Sequence, residues 1–584
     1  MNAKKSLPEL PTLLSLVIFC GIGVVMMYHS TIFSGFSRMQ TDIGDTRLNN
    51  YFLEHSFQWL INRNYTGGLW APSFFHPATD VLAYSDNLFG AAPVYWLFRV
   101  VAPAPLAFQL WMIAVSVLNF LCFFWLLKYL KVSNWFSNLG AFLFAFGLPR
   151  VVKIGHQQLL PQFFTPIVLI AIFSFIKQPK RKTFISLLVF SYLQILAGIY
   201  LGWFLLFSLP FLFLFAYLLN RPAWIGLLKF WRVRKVFLLS SVLGWLIATG
   251  LTLWPYLERS RAYGGRTYAE IDTMLPRLAS WFSFPDQSIL RPIFAKVPLL
   301  PNVYSAAFSD IPILHEHHMY MGLTLLLGAL GCTIALIRKK SGLVGSQLWI
   351  AQTCLFTFAA IFLVSLRLPM GVSLWRLVFE VVPGASAIRA VTRIWTMAYC
   401  YLLIAVCLWA DQFFGRAIAP HKKRFQTLSL LCLFVALEQT TFNQFSFEKA
   451  PINQDVADIE SLIANECDLA YLSFSPDDPD RPFYSQQLSA MWAGIQANVP
   501  VINGYSGGQP ETYPNIDQPM TTEAVVSWLD EYGAADTGSL CIVGDAARLE
   551  ADSLLPSTPA ASAQENSGNL SMYKVQLPLD NPSL

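Results

Sequence analysis

The stretch TDIGDTRLNNYFLEH, residues 41–55, gathers Asp42, Asp45, Arg47, Glu54 and His55 in a chain of which only 13% is charged. A carboxylate in such a setting can take a proton from a hydroxyl as a general base. The run after Gly44 reads as a helix, so two roles stand open for Asp45: a general base facing a cavity, or a helix N-cap worth about 1 kcal/mol. For Asp42 the cap, or a solvated role, is the favoured reading. The complementary chemistry needs cations. Arg150 and Lys153, with His156, surround a short connection between two apolar runs, and Arg389 and Arg393 stand just before another. A guanidinium binds phosphate through two parallel hydrogen bonds; the alternative is that these side chains snorkel to lipid headgroups. His156 and Gln157 have the groups to touch sugar hydroxyls or to hydrogen-bond a neighbouring helix.

Further polar groups lie in the segment 255–318. Arg266 and Glu270 read as acceptor contacts or as solvated loop charge. The tetrad HEHH at 315–318 spaces His315 and His318 by one helical turn, which suggests metal. No second ligand cluster of recognised spacing accompanies it, so a divalent ion remains an open alternative and no cofactor is assigned.

The elements that must position these groups are set by composition. Of 584 residues, 55% are hydrophobic, and the mean hydropathy is +0.48, far more apolar surface than a soluble globule hides. The expectation is a mainly α, polytopic transmembrane bundle of about eleven spans, near 13–28, 106–127, 135–148, 163–176, 184–198, 201–219, 236–254, 320–337, 348–366, 394–410 and 428–442. Each approaches the roughly 20 residues that cross a bilayer core. The first run carries no small-residue cleavage site after it and reads as a retained span. The apolar stretch 91–101, interrupted by Pro93 and Arg99, reads as an interfacial helix.

Short loops rich in Lys and Arg remain cytoplasmic. Lys4 with Lys5, Lys128 with Lys131, KQPKRK (177–182), KFWRVRK (229–235), RKK (338–340) and HKKR (421–424) all fall on one side of the eleven-span arrangement. This puts the N-terminus in the cytoplasm and the segments 30–105, 255–318, 367–393 and 443–584 outside. Residues 1–442 form the membrane domain, and the acidic stretch 443–584 an extracytoplasmic α/β domain. There LAYLSF and SLCIVGD read as strands, TTEAVVSWLDEYG as a helix, LPSTPAASAQENSGN as a loop and LSMYKVQL as a last strand. Cys467 and Cys541 in this domain have two readings, a disulfide or two buried thiols. Formal charge is +5, which gives no case for a nucleic-acid partner, and no Walker loop, G-x-S-x-G or dinucleotide fingerprint is present.

In order and sidedness these features resemble the GT-C superfamily of membrane glycosyltransferases. The matching stretches are DIGD after the first span, the two helices before the second, and FFHPATDVLAYSDNLFGAAPVYW, which holds Asp86. GHQQLLPQFFTPIVL, VPGASAIRAVTR and the VINGYSGGQP stretch of the last domain complete the set. The resemblance implies a bacterial inner-membrane enzyme that moves a hexosyl or pentosyl group, with inversion, from a polyprenyl-phosphate carrier to a glycan, lipid or protein acceptor on the periplasmic face. It places the base at Asp45, with Asp42 second, and makes Arg389, Arg393, His156, Gln157, Arg150, Lys153, Asp86, Glu54, His55, Arg266 and Glu270 candidates for substrate binding. Relatives that use a metal carry a DxD-type motif; here the spacing is D-x-x-D, which puts metal dependence in doubt. A lipid-linked glycan flippase would place ionisable groups at mid-bilayer and show internal repeats, and neither is seen. A noncatalytic assembly protein with a binding domain is the other alternative. NGYSGG reads as a tight turn or as a sugar-contacting loop.

Overall fold

A computed structural model describes residues 12–294, 296–297, 305–306, 308–309, 311, 313–417, 421–442, 444–534, 538–555, 560–564 and 569–577. All eleven apolar runs are helical. The helices are Thr12–Phe33, Ala104–Tyr129, Asn134–Phe146, Phe164–Lys177, Arg181–Ala197, Ile199–Leu219, Arg221–Tyr263, Leu323–Ile337, Gly345–Ser365, Trp395–Ala417 and His421–Glu438. Among the described residues, seven helical segments are long and apolar enough to cross a membrane, which makes this an integral membrane protein. The other four, Asn134–Phe146, Arg181–Ala197, Leu323–Ile337 and His421–Glu438, are shorter or begin with charges. The basic stretch 229–235, expected as a loop, lies inside the helix Arg221–Tyr263, which merely kinks at Arg234 (φ −124°, ψ 19°). Long Arg and Lys side chains are good helix formers, so charge there does not break the helix.

The chain divides into two compact units: residues 1–32, 111–252 and 264–444, and residues 33–110, 253–263 and 445–584. In the first, residues 391–408 are all buried, and their helix is packed by Gly345–Ser365, Leu323–Ile337 and Asn134–Phe146. Small residues allow this closeness: a Cβ on Gly140 would lie 2.7 Å from the Cys407 sulfur.

The second unit joins the segment after the first apolar helix to the C-terminal region. Arg38–Gln40 pairs antiparallel with Ser446–Glu448. The amide of Phe75 donates to Asn503 O (3.0 Å) and that of Val501 to Ser73 O (2.8 Å). The glycines of NGYSGG serve this approach and not a positive φ. A Cβ on Gly504 would meet the Phe75 ring at 2.3 Å, and one on Gly507 would meet Tyr84 O at 2.6 Å.

The unit's four-stranded mixed sheet has the order Leu469–Ser473, Gly538–Asp545, Asn569–Leu577, Ala561–Gln564, the first pair parallel and the others antiparallel. The crossover between the parallel strands carries the helices Phe483–Ala497 and Thr522–Glu531, the latter capped by Thr521. The expected loop 555–569 contains the edge strand Ala561–Gln564; residues 556–559 and 565–568 lie outside the described set. A helix is present over Ala92–Arg99, within the stretch 91–101.

Cys467 and Cys541 form a disulfide with Cα atoms 5.7 Å apart. Closing a loop over a sequence separation of 74 residues contributes about 4.4 kcal/mol in the chain-entropy account. Reduction, or Cys541→Ser, will lower the unfolding free energy of this unit by that amount, read by denaturant titration with Trp fluorescence.

Candidate functional site

In the second unit the helix Asp45–Ile61 begins at the acidic pair. Asp42 Oδ1 accepts the amide protons of Gly44 (2.9 Å) and Asp45 (2.8 Å). Asp42 is therefore the residue that caps the chain's entry into the helix, and Gly44 makes no side-chain cap. Desolvation of its carboxyl, followed by repulsion from Asp45, holds Asp42 above the usual carboxylate range despite those two donors. Asp45 occupies the first helical turn, where the helix dipole favours an anion. Two tyrosines of the C-terminal region complete this end. Tyr484 packs over Gly44, where a Cβ would meet its ring at 3.4 Å, and its ring lies 5.9 Å from that of Tyr505. Burial, then the fields of Asp45 and Asp42, push the Tyr505 hydroxyl upward. Tyr505 belongs to NGYSGG, so this loop brings its aromatic ring to the acidic pair. The sequence offered no signal for that placement beyond the clustered glycines.

Other residues of the same stretch have structural partners. Glu54 is buried and accepts from Arg99 Nε (2.7 Å), Tyr95 Oη (2.6 Å) and Gln58 Nε2 (2.7 Å). His55 is fully buried, with Nδ1 2.9 Å from Tyr65 Oη and Nε2 3.2 Å from Leu69 O. Asp86 is buried within the electrostatic reach of Tyr256. Desolvation pushes His55 down to about 4. Above pH 6.5 the folded and unfolded chains both leave it neutral. Between 6.5 and about 4 the unfolded chain takes up a proton that the folded chain refuses. Stability therefore falls on acidification through that window, by on the order of 3 kcal/mol from this residue. His317 and His318, pushed down by burial to about 4 and about 3, act in the same direction. His55→Gln will consequently show a shallower loss of unfolding temperature between pH 7 and 4.5 than wild type. Identical slopes would refute the buried neutral imidazole.

In the first unit the cations converge on a residue that sequence reasoning passed over. Glu316, 3% exposed by its side chain, sits in the 3-10 turn Leu314–His317. Lys153 Nζ approaches its Oε2 at 2.5 Å. Arg393 Nη2 lies 2.6 Å and His156 Nε2 3.2 Å from its Oε1. Burial alone would raise the Glu316 carboxyl. The fields of Lys153 and Arg393, with hydrogen bonds from His156 and Arg393, more than reverse this and hold it well below its usual range. Arg393 also stacks over the Tyr200 ring at 5.5 Å, and its neighbour Arg389 is exposed while its amide donates to Tyr200 Oη (3.2 Å). The HEHH motif draws attention to its histidines, which is why its central acid was missed.

Arg150, expected beside Lys153 and His156, takes different partners: the Leu159 carbonyl (2.6 Å), Gln162 Oε1 and the Phe144 ring. Gln157 is buried in the turn that follows His156. Glu270 and Thr267 form a capping box on Tyr268–Thr273, and Arg266 lies 3.7 Å from Glu270.

Metal can be tested on the donors present. His318 Nδ1 lies 2.7 Å from Ser283 Oγ. The atoms that come within 4.8 Å of one another belong instead to His156, His315 and Glu316. Both carboxylate oxygens of Glu316 already face Lys153 and Arg393, and a dication placed there would be repelled by two buried cations. The set does not fit a divalent ion.

No protein-family model matches this chain, and no curated protein matches it. Among solved structures it is similar to the apo crystal structure of ArnT from Cupriavidus metallidurans, at 10% sequence identity and a TM-score of 0.38, over 96% of this chain and 97% of that one.

Proposed function

We propose that this protein is a membrane glycosyltransferase that moves a sugar, with inversion, from a polyprenyl-phosphate carrier to an acceptor hydroxyl on the extracytoplasmic face. The observation that carries the reading is the convergence of Lys153, His156 and Arg393 on the single buried carboxylate of Glu316. Glu316 holds these donors in fixed directions, as a preorganised anion site requires, so that phosphate charge developing during transfer meets them without reorganisation. Arg389, exposed on the same segment as Arg393, is a further phosphate ligand in this reading.

A phosphate is already a good leaving group, so the remaining need is a base for the acceptor. Asp45 fills that role, and Asp42 is a positioning residue that fixes the Asp45 backbone through its amide. The lipid-linked donor agrees with the seven membrane-length helical segments among the described residues. The disulfide agrees with an oxidising compartment for the C-terminal region, and so with a periplasmic one. Metal takes no part in this scheme. The test is transfer by the purified chain from a panel of radiolabelled polyprenyl-phosphate sugars into membrane lipid, glycan or protein. Transfer from one donor class is expected, and no transfer from any of them overturns the reading.

A further inference from the structure

The second unit contains a partly open cavity of about 600 Å³ that includes neither Asp42 nor Asp45. Such a volume lies in the range of small-molecule sites. Its wall is made by one face of the helix Asp45–Ile61, by the segment around Arg99, and by residues of the helices Lys449–Ile463 and Phe483–Ala497.

Two properties set it apart from a packing defect. The first is its charge. Three cations, Arg47, Arg99 and Lys449, line it together with two carboxylates, Glu54 and Glu460. Arg99 and Glu54 satisfy each other. Arg47 is 6% exposed, and its guanidinium donates to Ser485 O (2.9 Å), Ser485 Oγ (3.2 Å) and Ser489 Oγ (3.0 Å), with no carboxylate in salt-bridge contact among the described residues. Only the field of Asp455 offsets its burial. Lys449 donates to an amide, Gln109 Oε1 (2.8 Å). Desolvation raises Glu460, which weakens the negative side further. A buried guanidinium held by hydroxyls and a carbonyl is costly unless an anion shares the site.

The second property is the kind of polar group present. The wall carries the amides of Asn50, Gln58, Asn62, Gln496 and Asn498. Asn50 is 4% exposed, and its Oδ1 has no hydrogen-bond partner among the described residues. A turn about its terminal torsion presents either the oxygen or the nitrogen to the cavity. Side-chain amides offer a donor and an acceptor side by side, the pattern that matches neighbouring sugar hydroxyls.

We infer that this cavity is a binding site for a sugar bearing one carboxylate, with Arg47 and Lys449 taking the acid group and the amides led by Asn50 taking the hydroxyls. A monoanion matches the surplus of a single cation, whereas a phosphate dianion exceeds it. The inference does not rest on the transferase reading, since binding here needs no transfer.

Calorimetric titration of the purified full-length chain in detergent tests it, with a disaccharide of one galacturonate and one neutral galactose as the monoanionic probe, lactose as the neutral control and glucose 1-phosphate as the phosphate control. The expected result is binding of the galacturonate at least tenfold tighter than of either control, reduced at least tenfold by Asn50→Leu and by Lys449→Met. Lys449 is only half-buried, so its variant serves where the Asn50 variant fails to fold. No binding of any probe, equal binding of lactose, preference for glucose 1-phosphate, or undiminished binding by a folded variant would each overturn the assignment.

Discussion

Asp45→Asn will transfer sugar from its polyprenyl-phosphate donor about 10²–10⁴-fold more slowly than wild type, the range that general-base catalysis supplies, while folding and donor binding persist. The substitution keeps the size and the hydrogen-bonding outline of the side chain. It leaves the amide of residue 45 donating to Asp42, so the start of the helix survives. What disappears is the capacity to accept a proton from the acceptor hydroxyl. Asp42→Asn should act differently. It weakens an acceptor of two backbone amides, so it reduces stability as well as rate. A folded Asp45→Asn chain that transfers at the wild-type rate would remove Asp45 from the chemistry and leave the anion cluster as the remaining part of the proposal.

The other large effect is on stability. Glu316→Gln removes the carboxylate that Lys153 and Arg393 share, leaving both buried cations without it, and breaking such a pair by deleting one partner costs about 3–5 kcal/mol. The sign with pH is fixed by the depressed Glu316 carboxyl. Its contribution is fully present above the unfolded value near 4.5 and is lost as pH falls through the lower folded value. Chemical unfolding at pH 7 should therefore separate wild type from variant by several kcal/mol, with the gap narrowing in acid. Equal stability at pH 7 would show that the cluster is not held by this residue.

Elements were more legible in the sequence than partners. Apolar runs of bilayer length impose helices whatever surrounds them, because unsatisfied backbone groups are intolerable in hydrocarbon, and each expected run is helical. Strands such as Leu469–Ser473 and Gly538–Asp545 were legible from short apolar runs bounded by polar residues. The stretch 229–235 was misread because charge marks topology without marking the end of a helix. The site was legible only in part. Residue types named the candidate base Asp45 with Asp42, and Lys153, His156 and Arg393, which share Glu316, but did not separate them from Glu54, His55, Arg150 and Glu270, which take other partners.

By itself, then, the sequence determined the helical membrane character, the last mixed α/β portion and the residue types available for chemistry. These follow from hydropathy and periodicity, which are local properties. Only the tertiary structure decided that Glu316 gathers three donors from distant positions and that Tyr505 reaches the acidic pair. It also chose the disulfide for Cys467 and Cys541 over two separate thiols. The physical reason is that a hydrogen bond or ion pair depends on separations of about 3 Å, and contacts such as Lys153 with Glu316, 163 positions apart, are set by how whole helices pack.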